Sequence, residues 1–374
     1  ADDAGGSIDD EERAEIYASI NLGYGPATCA QCHVRGLAED GVHPYPVEFY
    51  ANIHDDLSDF YTPFSQDNDE HWWASGHASL PNMQHNEWLI SGHPNALTTA
   101  QASENFSAEC LTCHSTAQQL IDLRLSNEDI DPETIDALSI AEDSGLGITC
   151  ASCHVSHRII DDDEEDIAVA VAELPAMLRE DSYSLCISCH ADNEVTEGIH
   201  HPVREVFEGI TIIDDIEVTG SPHFTEDNGP TCSTCHMQAL ETYNGERNSH
   251  ASSIVSPGSA IDVEGLQDSC SGCHEEGPAE LQQLIDALQT DTQQRISTAQ
   301  QALSDDTEPW VMTALEVVDS EGSYGIHNHA YTSALLNSVE INLGLRESTT
   351  LSDADVSAAI DGVLPDVEPV SLTP

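Results

Sequence analysis

Cys110-Leu111-Thr112-Cys113-His114 is the stretch on which the reading of this chain turns, because the same Cys-x-x-Cys-His spacing recurs until every cysteine is used. It occurs six times, as Cys29/Cys32/His33, Cys110/Cys113/His114, Cys150/Cys153/His154, Cys186/Cys189/His190, Cys232/Cys235/His236 and Cys270/Cys273/His274. This is the spacing of covalent c-type haem attachment, in which two thiols form thioethers with the porphyrin vinyl groups and the histidine ligates iron. Twelve cysteines could instead form six disulfides in an oxidising compartment, or pairs of Cys-x-x-Cys could build zinc sites of four thiolates each. Neither alternative needs a histidine directly after the second cysteine of every pair, and the chain has only 19 histidines in 374 residues. Six covalently bound haem c groups are therefore expected.

Working outward, the motifs run through most of the chain without an obvious linker. The first gap is 81 residues, and the next motifs follow at intervals of 36 to 46. Segments that short cannot each bury a conventional apolar core, so the haems themselves must provide much of the buried surface. Only 5% of residues are aromatic, which fits porphyrins in that role. The expected fold is mainly α with extensive loops, organised around the haems, with long C-terminal helices and little or no sheet.

The chain carries 69 acidic residues against 9 basic ones, a formal net charge of −60, and every basic residue is arginine. Such a surface repels itself in ordinary salt, whereas at molar salt the Debye length falls to about 3 Å and the repulsion is largely screened. Lysine-free acidity thus reads as adaptation to a high-salt, halophilic milieu. An acidic secreted protein from an ordinary environment is the plainer alternative. Nucleic acid is excluded as a partner by its own negative charge.

No run approaches the 18 or so apolar residues of a membrane span. The sequence starts Ala1-Asp2-Asp3 without an initiator methionine, as expected of a mature form whose signal peptide has been removed. Haem is attached to c-type proteins outside the cytoplasm, so the expected location is extracytoplasmic, at the cell surface or outside the cell.

Ser7 followed by Asp9, Asp10, Glu11 and Glu12 offers a helix start, with the helix running to about Asn21. Asp161 to Asp166 reads as a solvated acidic loop. Gly229-Pro230 and Ser256-Pro257-Gly258 read as turns. Leu281, Leu284, Ile285, Leu288, Ile296, Ala299 and Leu303 recur at helical spacing, which predicts a long amphipathic helix over 279–304. A second helix is expected from about His329 to Leu345. Four regions follow: 1–104 with the first haem and a histidine-rich segment, 105–277 with haems two to six, a helical region over 278–350, and an acidic, proline-containing arm over 351–374.

Each iron takes a proximal histidine from its motif and has one further axial position; an open position binds substrate, a filled one only passes electrons. Thirteen histidines lie outside the motifs, and there are only four methionines. Met237 directly follows a proximal histidine and is too close to reach the same iron. Bis-histidine, low-spin haems are therefore expected throughout. The sixth-ligand candidates are His77, His93, His157, His201, His223, His250 and His327. His157, three residues past His154, can point its ring to a different haem from a short helical turn. His43, His54, His71, His85, His200 and His329 are weaker candidates, and with six positions available some histidines must be bland.

The sequence also resembles the superfamily of pentahaem cytochrome c nitrite reductases and octahaem hydroxylamine oxidoreductases, from about Asn105 to Leu345. The likeness rests on Asn105-Phe106 running into Cys110–His114, on Gly147-Ile-Thr-Cys-Ala-Ser-Cys-His154, on His201-Pro202 and on Ser221-Pro-His223. It continues through Cys232-Ser-Thr-Cys-His-Met237, Ser249-His250 with Ser256-Pro257 behind it, and Gly325-Ile-His327-Asn328 opening the last helix. The resemblance implies that His201, His250 and His327 are distal ligands and that His223 stands where the reductases carry an active-site histidine. It also implies that the Cys110–His114 haem occupies the catalytic position. There the family usually has a proximal lysine, an arginine shortly upstream and a tyrosine after the motif matching Cys186–His190. This chain has no lysine, no arginine over 94–109, and Ala191-Asp192-Asn193-Glu194 where the tyrosine belongs. Hydroxylamine oxidoreductases need a tyrosine cross-linked to the active haem, for which Tyr324 and Tyr331 are available.

The expectation is an electron-transfer cytochrome passing electrons between redox partner proteins or extracellular acceptors. It extends to a homopolymer with stacked haems, a filament in which one subunit supplies a ligand to the next. The alternative is a multihaem oxidoreductase acting on nitrite, hydroxylamine or a sulfur oxyanion, with His223 as its acid/base residue.

Overall fold

A Cys-x-x-Cys-His unit wound into one helical turn places its first cysteine, second cysteine and histidine at i, i+3 and i+4, which share one face. A computed structural model describes residues 29–30, 33–38, 61–66, 71–126, 145–154, 178–192, 198–214, 216–224, 229–242 and 245–347, and in it the motifs take this form. The His33, His154, His190 and His274 amides each donate to the carbonyl of their own first cysteine, at 2.9–3.1 Å.

In chain order the elements are short strands β1 (Gly36–Ala38) and β2 (Tyr61–Pro63), then α1 (Gln84–Ile90), a 3-10 turn at His93–Asn95 and α2 (Ala96–Gln101). The motif helices follow with their neighbours: α3 (Leu111–His114), α4 (Thr116–Ser126), α5 (Cys150–Cys153), α6 (Ser182–Ile187), α7 (Val203–Glu208) and α8 (Cys232–His236). After the hairpin β3 (Ala239–Thr242) and β4 (Gly245–Asn248) come α9 (Pro257–Ala260) and three longer helices, α10 (Pro278–Ala302), α11 (Pro309–Glu321) and α12 (His329–Asn342). Among the described residues the sheets are two separate antiparallel pairs, β1–β2 and β3–β4. The architecture is mainly helical with extensive loops.

Polar residues just ahead of the motifs start their turns. The Asp181 carboxylate accepts the Tyr183 and Ser184 amides and caps α6. Asp268 does the same for the Cys270 and Ser271 amides, both at 2.8 Å. Thr231 and Thr234 form a capping box on α8.

The helix expected over 279–304 is observed as α10, and that expected over His329–Leu345 as α12. Helix α11 was not anticipated, although Pro309 at its first turn and Val311, Ala314, Leu315 and Val318 at helical spacing announce it. Ser256-Pro257-Gly258, expected as a turn, instead opens α9: proline at the first helical position is pre-set for helix and gives up only an amide that had no partner there. The hairpin closes with Thr242 opposite Gly245, whose φ of 106° favours glycine. The helix from Ser7, the acidic run Asp161–Asp166 and the arm over 351–374 lie outside the described residues.

One apolar core belongs to the last three helices. Ile296, Ala299, Val311, Ala314, Leu315, Val317, Val318, Tyr331, Leu335, Leu336 and Val339 are buried together, joined by Val206 and Ile213 from the motif region. Across it the Arg295 guanidinium grips Glu340, with Nε–Oε1 at 2.6 Å. Elsewhere among the described residues the apolar clusters hold two or three buried residues each, such as Leu97 with Leu111, or Leu240 with Val255 and Leu266.

Asn328 ties the two parts together. It caps α12 by accepting the Tyr331 amide, and its own amide group donates to the carbonyls of Val206 and Thr219. That fixes the preceding residue, His327, against the motif region. A second tie is at Gly147, where a Cβ would stand 2.6 Å from the His93 carbonyl oxygen; only glycine lets the chain entering α5 pass so close. The Ile148 amide then bonds that same carbonyl at 2.9 Å.

Candidate haem sites

An imidazole nitrogen binds a first-row metal at about 2.0 Å, and the ring centroid lies about 1.1 Å beyond it, so two imidazoles on opposite faces of one iron stand about 6 Å apart. Among the described residues, five motif histidines face a second imidazole at this separation. His154 and His250 are 6.0 Å apart, His236 and His327 6.0 Å, and His274 and His223 6.1 Å. His190 faces His93 at 6.4 Å and His201 at 6.0 Å. His114 faces both His200 and His201 at 6.1 Å, and ligand atoms of these three lie within 4.8 Å of one another. The rings present thus fit bis-imidazole haem.

The outer ring nitrogens are held, which fixes the rings' orientation and tautomer. His114 Nδ1 meets the Ala96 carbonyl at 3.0 Å, His250 Nδ1 the Asn248 carbonyl at 3.1 Å, and His93 Nδ1 the Ser252 hydroxyl at 3.2 Å. The His327 Nδ1 is paired with the carboxylate of Glu321. Burial lowers the His190 and His250 pKa to about 4 and also pulls down His93, His201, His223 and His236. These rings are kept in the neutral form that ligates metal. His327 goes the other way: burial alone would lower it, but the Glu321 carboxylate raises it.

His250 also has backbone support that no motif predicted. Its amide donates to Glu87, a fully buried carboxylate that takes the Ala78 amide and a two-pronged grip from Arg247, at 2.7 and 2.9 Å. The signal available in the sequence was one arginine in an almost arginine-free segment.

His77 is fully buried; its Nδ1 meets the Ser249 hydroxyl at 2.8 Å, while its Nε2 has no partner among the described residues. His85 is buried and stacked on Trp88, and His71 lies against Phe64. His33 carries the His85 amide on its carbonyl. His200, ranked low from the sequence, stands as close to His114 as His201 does; a His-His pair before proline was the only cue. Cys32, His43, His54 and His157 lie outside the described residues. Tyr331, considered for a cross-link, is buried in the C-terminal core with its hydroxyl donating to the Ile210 carbonyl at 2.9 Å.

Thiols of different motifs lie side by side: Cys29 with Cys150, Cys113 with Cys189, and Cys186 with Cys232. Cys153 is within electrostatic reach of Cys189, and Cys235 of Cys273.

A family model described as cytochrome c552 matches residues 215–320. Among solved structures the chain is similar to the outer cell wall cytochrome OcwA, with 28% identity and a TM-score of 0.69 over 86% of this chain and 65% of that one. It also matches an undecahaem cytochrome from the S-layer of Carboxydothermus ferrireducens (23% identity, TM-score 0.48, 69% of this chain, 41% of that one). A third match is the cytochrome c nitrite reductase of Desulfovibrio desulfuricans (16% identity, TM-score 0.40, 72% and 73%). No curated protein sequence matches. Residues 215–320 thus match the cytochrome c552 family, and the chain is similar in sequence and fold to an outer cell wall cytochrome. It spans 65% of the length of OcwA. No helix among the described residues is long and apolar enough to cross a membrane.

Proposed function

We propose that this chain is a hexahaem cytochrome that carries electrons outside the cytoplasm, with imidazole on both faces of every iron. The carrying observation is the set of imidazole pairs at 6.0–6.4 Å. In this reading His201 or its neighbour His200 serves the second haem, His250 the third, His93 the fourth, His327 the fifth and His223 the sixth. His77, fully buried, serves the first. The haem, when bound, would supply the redox centre; the chain's cysteines would anchor it and its histidines would ligate it, with burial keeping His93, His190, His201, His223, His236 and His250 in the neutral form.

Neighbouring thiols imply neighbouring porphyrins. The contacts support a route running first, third, fourth, fifth, sixth, with the second haem beside the fourth. The likeness to an outer cell wall cytochrome supports a place at the cell surface or beyond it, with extracellular acceptors or redox proteins as partners.

The enzyme alternative needs an open iron face at the second haem and a free His223. At the second haem two imidazoles, His200 and His201, face His114, and His223 faces His274. Replacing His223 by alanine tests both readings: a ligand role converts one haem to high spin, whereas an acid/base role abolishes turnover of nitrite or hydroxylamine and leaves the spin state alone. The filament reading, with a ligand passed between subunits, has its own test. His77→Ala creates a high-spin haem in monomers if His77 ligates within the chain, and leaves all spin states unchanged if a neighbouring subunit supplies the first haem.

A further inference from the structure

The imidazoles that pair across the haem sites differ in what holds their outer nitrogen. For His114 and His250 it is a backbone carbonyl, for His93 a serine hydroxyl, and for His236 the Ser252 carbonyl at 3.4 Å. His274 has Glu276 at 3.8 Å, beyond hydrogen-bond reach and with both side chains about half exposed to solvent. His327 alone among these has a buried carboxylate directly on Nδ1, that of Glu321, whose side chain is 2% exposed.

The Glu321 carboxylate is itself pinned. Its second oxygen accepts the Ser323 amide at 3.1 Å and the Ser323 hydroxyl at 2.8 Å, and that hydroxyl accepts the His327 amide at 3.0 Å. The loop from the end of α11 to α12 closes around one charge. Gly322, at φ 81°, allows the chain to double back so that residue 327 meets residue 321.

A carboxylate that accepts the outer N–H of a metal-bound imidazole raises the ligand's basicity. On a haem this pushes electron density to iron, favours the ferric state and lowers the reduction potential. A neutral carbonyl or hydroxyl in the same place does this less. We propose that Glu321 is a positioning residue that sets the fifth haem, at Cys232/Cys235/His236, to a lower potential than the haems whose axial rings rest on neutral acceptors. The inference rests on the reading of His236 and His327 as the two ligands of that haem. Lying between the fourth and sixth haems on the thiol contacts, the fifth haem becomes a barrier step in the route, so that Glu321 controls how readily electrons cross towards the sixth.

The test is a redox titration of the full haem-loaded protein, followed by magnetic circular dichroism, on wild type, Glu321→Gln, Ser323→Ala and His327→Met. The His327→Met protein identifies the wave of the fifth haem, because only that wave changes ligation signature. In Glu321→Gln the same wave moves to higher potential, the other five stay in place, and haem content and low-spin signals are retained. Ser323→Ala breaks the loop bonds but keeps the charge, and leaves the wave where it was. No shift in Glu321→Gln, or an equal shift in Ser323→Ala, overturns the role of Glu321. If His327→Met leaves every haem's ligation unchanged, the ligand assignment has failed instead.

Discussion

Between Pro278 and Asn342, three helices of 25, 13 and 14 residues bury one another's side chains around Val311, Leu315, Leu335 and Val339. Between Leu111 and His236, the helices that carry haem motifs run to only four to six residues, and the apolar clusters around them are small. Helices of one turn are not stable on their own, and a few buried side chains do not overcome the ordering cost of the surrounding loops. The first region packs against itself; the second is built to pack against something else. That contrast is the physical content of six Cys-x-x-Cys-His motifs in a chain of few aromatic residues.

The sharpest way to break the comparison is to withhold haem. Expressed without the attachment machinery, the chain should lose amide-exchange protection in the motif helices α3 to α8 while α10 to α12 keep theirs. Equal protection in both regions would refute the contrast.

Next in size is Glu87→Ala. Removing one partner of a buried pair leaves the other charge uncompensated and costs roughly 3–5 kcal/mol, here Arg247 beneath the proposed ligand His250. Chemical denaturation followed at the Soret band measures it. Burial alone would raise the Glu87 pKa, but Arg247 and the amides of His250 and Ala78 hold it below its usual 4.5. The contribution is thus complete above about pH 4.5 and fades as pH falls through the lowered value. Wild type should show this acid limb and the variant should lack it.

Leu335→Ala probes the other region. A cavity at this buried site costs about 2–5 kcal/mol, seen in the far-ultraviolet unfolding curve, and the haem spectrum of the folded protein should be unchanged. The smallest effect is expected from Asp181→Ala, which removes the cap of α6 for about 1 kcal/mol and loosens Cys186 without displacing its haem.

The same contrast explains what the sequence made legible. Where side chains pack on side chains, periodicity is visible, and α10 and α12 could be read to within about three residues. Helix α11 is equally periodic, with proline at 309 marking its start. In the motif region the proposed haem anchors were legible one by one, since five adjacent residues carry the signal. The imidazole pairs were not, because the partners lie far apart in sequence: His93 with His190, His154 with His250, His236 with His327. No local pattern records which distant ring crosses a porphyrin. His200 against His201, and the buried Glu87–Arg247 clamp behind His250, became visible only when distant segments were brought together.

The central claim is that imidazole closes both faces of every iron. Haem-to-protein stoichiometry together with low-temperature electron paramagnetic resonance of the resting protein tests it most directly. Six haems, all low-spin with bis-histidine signatures, is the predicted result; a high-spin or water-ligated iron, above all at Cys110/Cys113/His114, would contradict it.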